Sequence, residues 1–223
     1  GTQAIAAPPP PAGNGSLRLQ AFGSGQEFGG EPTIEGTYSL DANGPTDGRD
    51  VALAGGYAYV VTGSNAGGSG FHVLDVSLPG SPTLAGRVDP GGKLAAVAVH
   101  GAYAYIATDR NQGELQVIDI RDPSAPIAGA SVNLVGNEDG TSIAADGPLL
   151  FFGRAKSSST SPGLTTFSLA NPASPVLLGS RNIWPNTPDI LGIATRGRLL
   201  YVATSAPDAE LVIVDTGVPE PLF

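Results

Sequence analysis

The sequence predicts an all-β fold, a four-bladed β-propeller, on three observations. One phrase recurs four times: Phe71-His-Val-Leu-Asp75-Val-Ser-Leu-Pro79, Leu115-Gln-Val-Ile-Asp119-Ile-Arg-Asp-Pro123, Leu164-Thr-Thr-Phe-Ser168-Leu-Ala-Asn-Pro172 and Leu211-Val-Ile-Val-Asp215-Thr-Gly-Val-Pro219. The copies start 44, 49 and 47 residues apart, counted from Phe71, Leu115, Leu164 and Leu211, a period that marks propellers and related strand arrays. The same short apolar runs flank each copy, bounded by Gly and Pro turns. No segment carries a sustained 3.6-residue apolar period, so almost no helix is expected.

The elements follow in chain order. Residues 1–16 read as a Pro/Gly-rich linker, because the run from Pro8 to Pro11 favours extended polyproline II and a semi-rigid spacer. Residues 17–223 read as a single propeller domain. Two short strands are expected first, at 17–22 and 33–40, separated by the Gly-rich stretch 23–30. The repeats proper span approximately 47–92, 93–139, 140–187 and 188–223.

Each repeat opens on a small aliphatic run containing Val51, Val97, Ile143 or Ile193. Small residues suit the inner strand of a blade, where strands crowd together around an axis. A turn holding Gly55 and Gly56, Gly101, Gly147 or Gly197 comes next. The second strand begins at Tyr57, Tyr103, Leu149 or Leu199, and the recurring phrase is the third. Both are apolar at nearly every position, as expected of strands buried on two faces between neighbouring blades. A Pro-x-x-Pro turn then leads to a fourth strand at Thr83, Ile127 or Val176. The third repeat departs from the pattern: Ser168 replaces the aspartate, and Thr165 and Thr166 replace aliphatics. That marks its blade as an edge facing something different.

The fourth repeat shows no fourth strand, whereas Pro32-Thr-Ile-Glu-Gly36 matches Pro82-Thr-Leu-Ala-Gly86. The expectation is that residues 33–40 pair with residues 210–215 and close a ring of four blades, each of about 48 residues. Joining the two ends in one sheet would remove the exposed edges that invite aggregation. The rival arrangement, an open piece of a larger propeller, leaves two bare edges.

Composition narrows the function classes. The net charge of −9 makes nucleic-acid backbones and anionic membrane surfaces poor partners. Without cysteine there are neither disulfides nor thiolate metal sites. No apolar stretch reaches the ~20 residues that cross a bilayer. Methionine is absent even from position 1, so the chain is expected to be an excised segment of a longer protein.

These residues resemble the LVIVD-repeat family. Leu211-Val-Ile-Val-Asp215 is the signature itself, and the Tyr-Ala-Tyr strands and Asp-x-x-x-Pro turns fit it too. The resemblance covers roughly residues 47–223. It implies a propeller, an extracellular or cell-surface location, and occasional use as a head on pilin-like or pseudopilin-like proteins. The family has no general catalytic motif, so the resemblance implies no catalytic residues and no enzyme.

The candidate sites are few. Asp75, Asp119 and Asp215 are the most regular polar residues, and an aspartate before a Pro-containing turn accepts backbone N–H groups and fixes that turn. Serine at position 168 serves that role but is a poor metal ligand. Asp41, Asn43, Asp47 and Asp50 form an oxygen-rich stretch of the kind calcium uses, although Pro45 breaks the EF-hand register and favours a solvated loop. Calcium is the one cofactor considered. Asn137, Glu138 and Asp139 form a second acidic loop, also before an inner strand, which puts both loops at one end of the ring. Trp184 lies in the connection before the fourth repeat and reads either as a partner-binding residue or as an interface plug. The two histidines, His72 and His100, have no evident carboxylate partners, and no nucleophile elbow is present. The leading expectation is therefore a non-enzymatic surface module. It would bind protein or carbohydrate through its loops, in assembly with stalk or filament subunits. The alternatives are a channel-face small-ligand or metal-dependent enzyme, and a structural spacer in a filament.

Overall fold

The computed structural model describes residues 33–40, 47–63, 70–155, 163–185 and 188–217. Among these residues every regular element is a strand. The first sheet holds β1 (Gly48–Ala54), β2 (Tyr57–Thr62), β3 (Phe71–Asp75) and β4 (Thr83–Val88). The second holds β5 (Leu94–His100), β6 (Tyr103–Thr108), β7 (Leu115–Asp119) and β8 (Ile127–Val132). The third holds β9 (Gly140–Asp146), β10 (Leu149–Arg154), β11 (Leu164–Ser168) and β12 (Val176–Arg181). The fourth holds β13 (Ile190–Arg196), β14 (Leu199–Thr204) and β15 (Leu211–Asp215). Each sheet is an antiparallel meander in chain order, the blade of a propeller.

The blades repeat down to their irregularities. Val51 lies opposite Val60, Val97 opposite Ile106, Ile143 opposite Phe152 and Ile193 opposite Val202. Each inner pair is interrupted near the start of its inner strand, and the β3/β4, β7/β8 and β11/β12 pairs carry a further shift. Bulges of this kind sharpen the twist of a blade. The hairpins after the inner strands turn on Gly55, Gly101, Gly147 and Gly197, all at φ between 51° and 59°, a region L side chains avoid.

The core is divided among the spaces between blades. Tyr59, Val61, Phe71 and Val73 of blade 1 meet Leu94, Val97, Ile106 and Ile118 of blade 2. The other face of blade 2, with Tyr105, Leu115 and Val117, meets Ile143, Leu150, Phe152 and Phe167 of blade 3. Phe151 and Leu164 meet Ile190, Leu200 and Val202 of blade 4. The expected burial of second and third strands between two neighbouring blades thus holds in blades 2 and 3, and in blade 1 Ala58, His72 and Leu74, on the face away from blade 2, are buried as well. Hydrogen bonds also cross each interface. The Val97 N–H donates to the Asp50 carboxylate (2.9 Å), the Tyr105 hydroxyl to the Pro172 carbonyl (2.9 Å), and the Thr141 hydroxyl to the Ile190 carbonyl.

Two expectations need correction. Residues 33–40 form no strand, and among the described residues the fourth sheet has three strands. Gly36 lies instead against the Pro79–Pro82 turn of blade 1, where any side chain would run into the Pro79 carbonyl. Gly86 of β4 lies the same way against the Pro123–Pro126 turn of blade 2. Gly36 therefore occupies the place of a fourth strand preceding blade 1. The inner strands pack in series, β1 on β5, β5 on β9 and β9 on β13, without comparable packing of β13 on β1. The ring closure expected from residues 33–40 is accordingly not seen.

Nor is blade 3 an edge. It packs on both neighbours, and the Thr165 hydroxyl, buried, is within 3.0 Å of the Ser180 hydroxyl. The departures from the repeat are absorbed locally, by a hydroxyl pair within the blade.

Candidate functional site

The antiparallel meander sends alternate connections to opposite ends of the blades. One end carries the tight hairpins and the turns after the recurring phrase. The other carries the longer loops between second and third strands and between successive blades.

At the turn end the repeated carboxylates act on backbone. Asp75 accepts the Ser77 N–H (2.9 Å) and hydroxyl (2.6 Å), Asp119 the Arg121 N–H (3.0 Å), and Asp215 the Gly217 N–H (2.9 Å). Ser168 accepts the Ala170 N–H through its hydroxyl (3.2 Å), so serine substitutes in kind. Asp122 repeats the motif with Ser124 at the following turn. The bonds from Ser77 hold the Asp75 carboxyl below the usual range, those from Arg121 do the same at Asp119, and those from Ser124 at Asp122, since each favours the ionised form.

At the loop end two backbone bonds recur in all four blades. Thr62, Thr108, Arg154 and Thr204 donate their N–H groups to the carbonyls of Gly70, Glu114, Gly163 and Glu210. The next residues, Gly63, Asp109, Ala155 and Ser205, donate to the carbonyls of Asp47, Lys93, Asp139 and Asp189. Each second-to-third-strand loop is thereby tied to the segment entering its own inner strand. Where threonine stands, its hydroxyl adds a bond into the same loop, to Gly70, Gly113 or Ala209.

Blade 3 places an arginine where the others have threonine. Arg154 is 1% exposed. Its guanidinium donates to the Val135 carbonyl (2.8 Å), the Glu138 carbonyl (3.4 Å) and the Glu138 carboxylate (3.0 Å). It therefore organises the 135–139 loop from beneath. Across the blade interface, buried Glu114 accepts the Leu134 N–H (2.9 Å) and the Gly113 N–H (3.4 Å) on one carboxylate oxygen, while its other oxygen has no protein partner. Desolvation pushes the Asp139 carboxyl up; Asp109 and Glu114 push the same way, and Lys93 opposes them. The Asp109 carboxylate in turn accepts the Lys93 N–H (2.7 Å). Lys93, Asp109, Glu114, Glu138, Asp139 and Arg154 thus form one charged patch on the loop end of blades 2 and 3.

The other sequence candidates are placed as follows. Asn137 and Asp139 are exposed and Glu138 is half-buried, all three in this patch. Asp47 pairs with Arg49 (2.6 Å). Asp50 accepts the Val51 N–H on one oxygen (2.9 Å) and the Val97 N–H on the other (2.9 Å), so it joins blades. Asp41 and Asn43 lie outside the described residues, as do the linker at 1–16 and the strand expected at 17–22. No group of three or more His, Asp or Glu side chains placed to hold a metal occurs among the described residues. Trp184 is half-buried and its indole N–H donates to Asp208 (3.3 Å), on the loop end of blade 4. His72 is buried, and burial, followed by Arg87, keeps its pKa down.

Sequence reasoning missed Arg154 and Glu114. The signal for Arg154 was present: aligned on the repeat, it breaks a column otherwise filled by Thr62, Thr108 and Thr204. Glu114 gave less, because Glu210 holds the equivalent place on an exposed edge.

Comparison with known proteins agrees with this architecture. The family model described as the LVIVD repeat matches residues 45–90 and 91–134, the first two blades. No curated protein matches the sequence. The computationally designed Ika4 protein is 11% identical, with a TM-score of 0.55 over 81% of this chain and 99% of that one. A Lactobacillus plantarum protein is 14% identical, with a TM-score of 0.57 over 78% of this chain and 57% of that one. The periplasmic gluconolactonase of Pseudomonas aeruginosa is 15% identical, with a TM-score of 0.55 over 78% of this chain and 56% of that one. The chain spans just over half the length of these two natural proteins, and at such identities the likeness is one of fold. The molecule is a β-propeller-type array of blades whose first two repeats match the LVIVD family.

Proposed function

We propose that the chain is a non-enzymatic binding module of the cell surface or extracellular space, engaging a protein partner through the loop end of its blades. The observation that carries this reading is the pair of backbone bonds repeated in every blade, which anchors loops of unlike sequence on one frame. Recognition residues are often found on loops held by a rigid scaffold. Asp109, Glu138 and Asp139 give the patch on blades 2 and 3 an acidic character suited to lysine and arginine side chains of a partner. A pilus-like head or filament subunit is one setting for such a module, with the proline-rich residues 1–16 as its tether. A sugar ligand is the second reading, favoured by Trp184, whose ring is partly accessible and oriented by Asp208.

The test is capture of basic peptides and of glycans on arrays by the chain. Capture of basic peptides should weaken as salt rises past about 0.1 M. It should also fall several-fold in the Asp109→Asn/Asp139→Asn double variant. Capture of glycans alone, lost in Trp184→Ala, transfers the function to sugar. Retention on neither array, or turnover of a channel-bound small molecule, overturns the proposal.

A further inference from the structure

The interface between blades 3 and 4 is filled less fully than the two before it. Thr166 lies opposite Phe151, in the place that Val73 holds opposite Tyr59 and Val117 opposite Tyr105. Arg181 lies opposite Leu164, where Val88 lies opposite Phe71 and Val132 opposite Leu115. On the blade 4 side, Val214 lies opposite Leu200, as Ile118 does opposite Ala104 and Phe167 opposite Leu150. Two residues on, Thr216 donates its N–H to the carbonyl just before its second strand, as Ile120 and Leu169 do. Val73, Ile118 and Ile120 fill the first interface with Val88 against them, and Val117, Phe167 and Leu169 fill the second with Val132. In the third interface all four positions are smaller or polar.

The consequence is a cavity of about 320 Å³ between blades 3 and 4. Phe151, Leu164, Leu200 and Val214 give it apolar walls, and Thr166 and Arg181 add polar groups. The carboxylate on its wall, Asp215, is already engaged, accepting the Gly217 N–H (2.9 Å) and pairing with Arg198 (3.1 Å). Arg181 is exposed and pairs with no carboxylate among the described residues. Ligand pockets start at about 300 Å³ and are mostly apolar, with a few polar groups that orient the ligand. A guanidinium without an ion pair beside such a cavity selects an anion, and its fork matches a carboxylate. We infer that this cavity binds a small amphipathic carboxylate. The apolar body lies against Phe151, Leu164 and Leu200, and the carboxylate pairs with Arg181. The site goes beyond the partner binding proposed for the loop end, and neither reading depends on the other.

The experiment is calorimetric titration of the 223-residue chain with octanoate, octanol and octylammonium, which share one apolar body and differ in head group. Octanoate should bind best, and it should shift the amide signals of Phe151, Leu164 and Leu200 in NMR spectra. Arg181→Gln should weaken octanoate binding about tenfold and leave octanol unchanged. The Thr166→Val/Thr216→Leu variant, which restores the residue types of the filled interfaces, should bind neither. If circular dichroism shows that variant unfolded, Val214→Phe narrows the same cavity. No binding of octanoate, equal binding of octylammonium, or an Arg181→Gln variant that binds octanoate as the parent chain does overturns the inference. So does tighter binding after Leu222→Ser/Phe223→Ser, which would give the cavity to the chain's own last residues.

Discussion

The interface between blades 2 and 3 and the outer face of blade 4 are made from the same phrase. Leu115-Gln-Val-Ile-Asp119 is sealed between sheets, and Leu211-Val-Ile-Val-Asp215 presents alternate side chains to solvent. Local register is the same, since both strands pair antiparallel with the second strand of their blade and end on a turn-holding aspartate. The difference is the neighbour. Hydrophobic stabilisation belongs to area removed from water, so identical patterns carry different free energies according to what faces them.

The sharpest break of the comparison is paired truncation. Leu115→Ala should cost about 2–5 kcal/mol in urea unfolding, as buried leucines do. Leu211→Ala, at an exposed position, should stay within about 0.5 kcal/mol. Equal costs at both positions would mean that blade 4 is covered in solution.

Arg154→Ala comes next. It removes a buried guanidinium with three acceptors and leaves Glu138 and the Val135 carbonyl without their donor, for an expected loss of about 3 kcal/mol. The 135–139 amides should also lose protection in hydrogen exchange, while those of the blade 4 loops stay unchanged. A uniform change across all loops would refute the local role.

Tyr105→Phe tests the bond that crosses from blade 2 to the Pro172 turn. Burial, followed by Tyr103, pushes this phenol up to about 12, so the hydroxyl remains a donor through the neutral range. Its loss should cost about 1 kcal/mol, read from the shift of the urea midpoint.

The smallest effects are those of pH. Asp75, Asp119 and Asp122 titrate below the ordinary value of 3.8. Their bonds therefore support the fold above pH 3.8, and the support fades as the pH falls through their lowered values. Asp139 titrates above 3.8, so its contribution is complete below 3.8 and fades as the pH rises through its raised value. Carboxyl NMR titration should separate the two groups to either side of 3.8. Asp139→Asn should slightly stabilise the chain at neutral pH, and a destabilisation would contradict the assignment.

Much of the fold was legible because it is local and repeated. The hairpin glycines, the apolar runs and the Asp or Ser two residues before an accepted N–H are set by near neighbours in the chain, and they recur often enough to be read by eye. Arg154 was legible in principle as a break in a threonine column. Glu114 was not, because its role arises only where the loop of blade 2 meets the residues that lead into blade 3. Residues 33–40 misled for a related reason: Gly36 matches Gly86 because both pack against a proline turn, and that likeness says nothing of whether a strand partner is in reach.

By itself the sequence determined the all-β class, the number of blades, the order of strands within each and the chemistry of the turns, since these depend on alternation and turn residues within some fifty positions. Only the tertiary structure decided which faces are interior, that Asp50 joins two blades, that Arg154 and Glu114 organise the charged patch, and that Leu211 and Ile213 of β15 are exposed. Those outcomes depend on which surface meets which, and a repeat written in nearly the same residues cannot distinguish its middle copies from its ends.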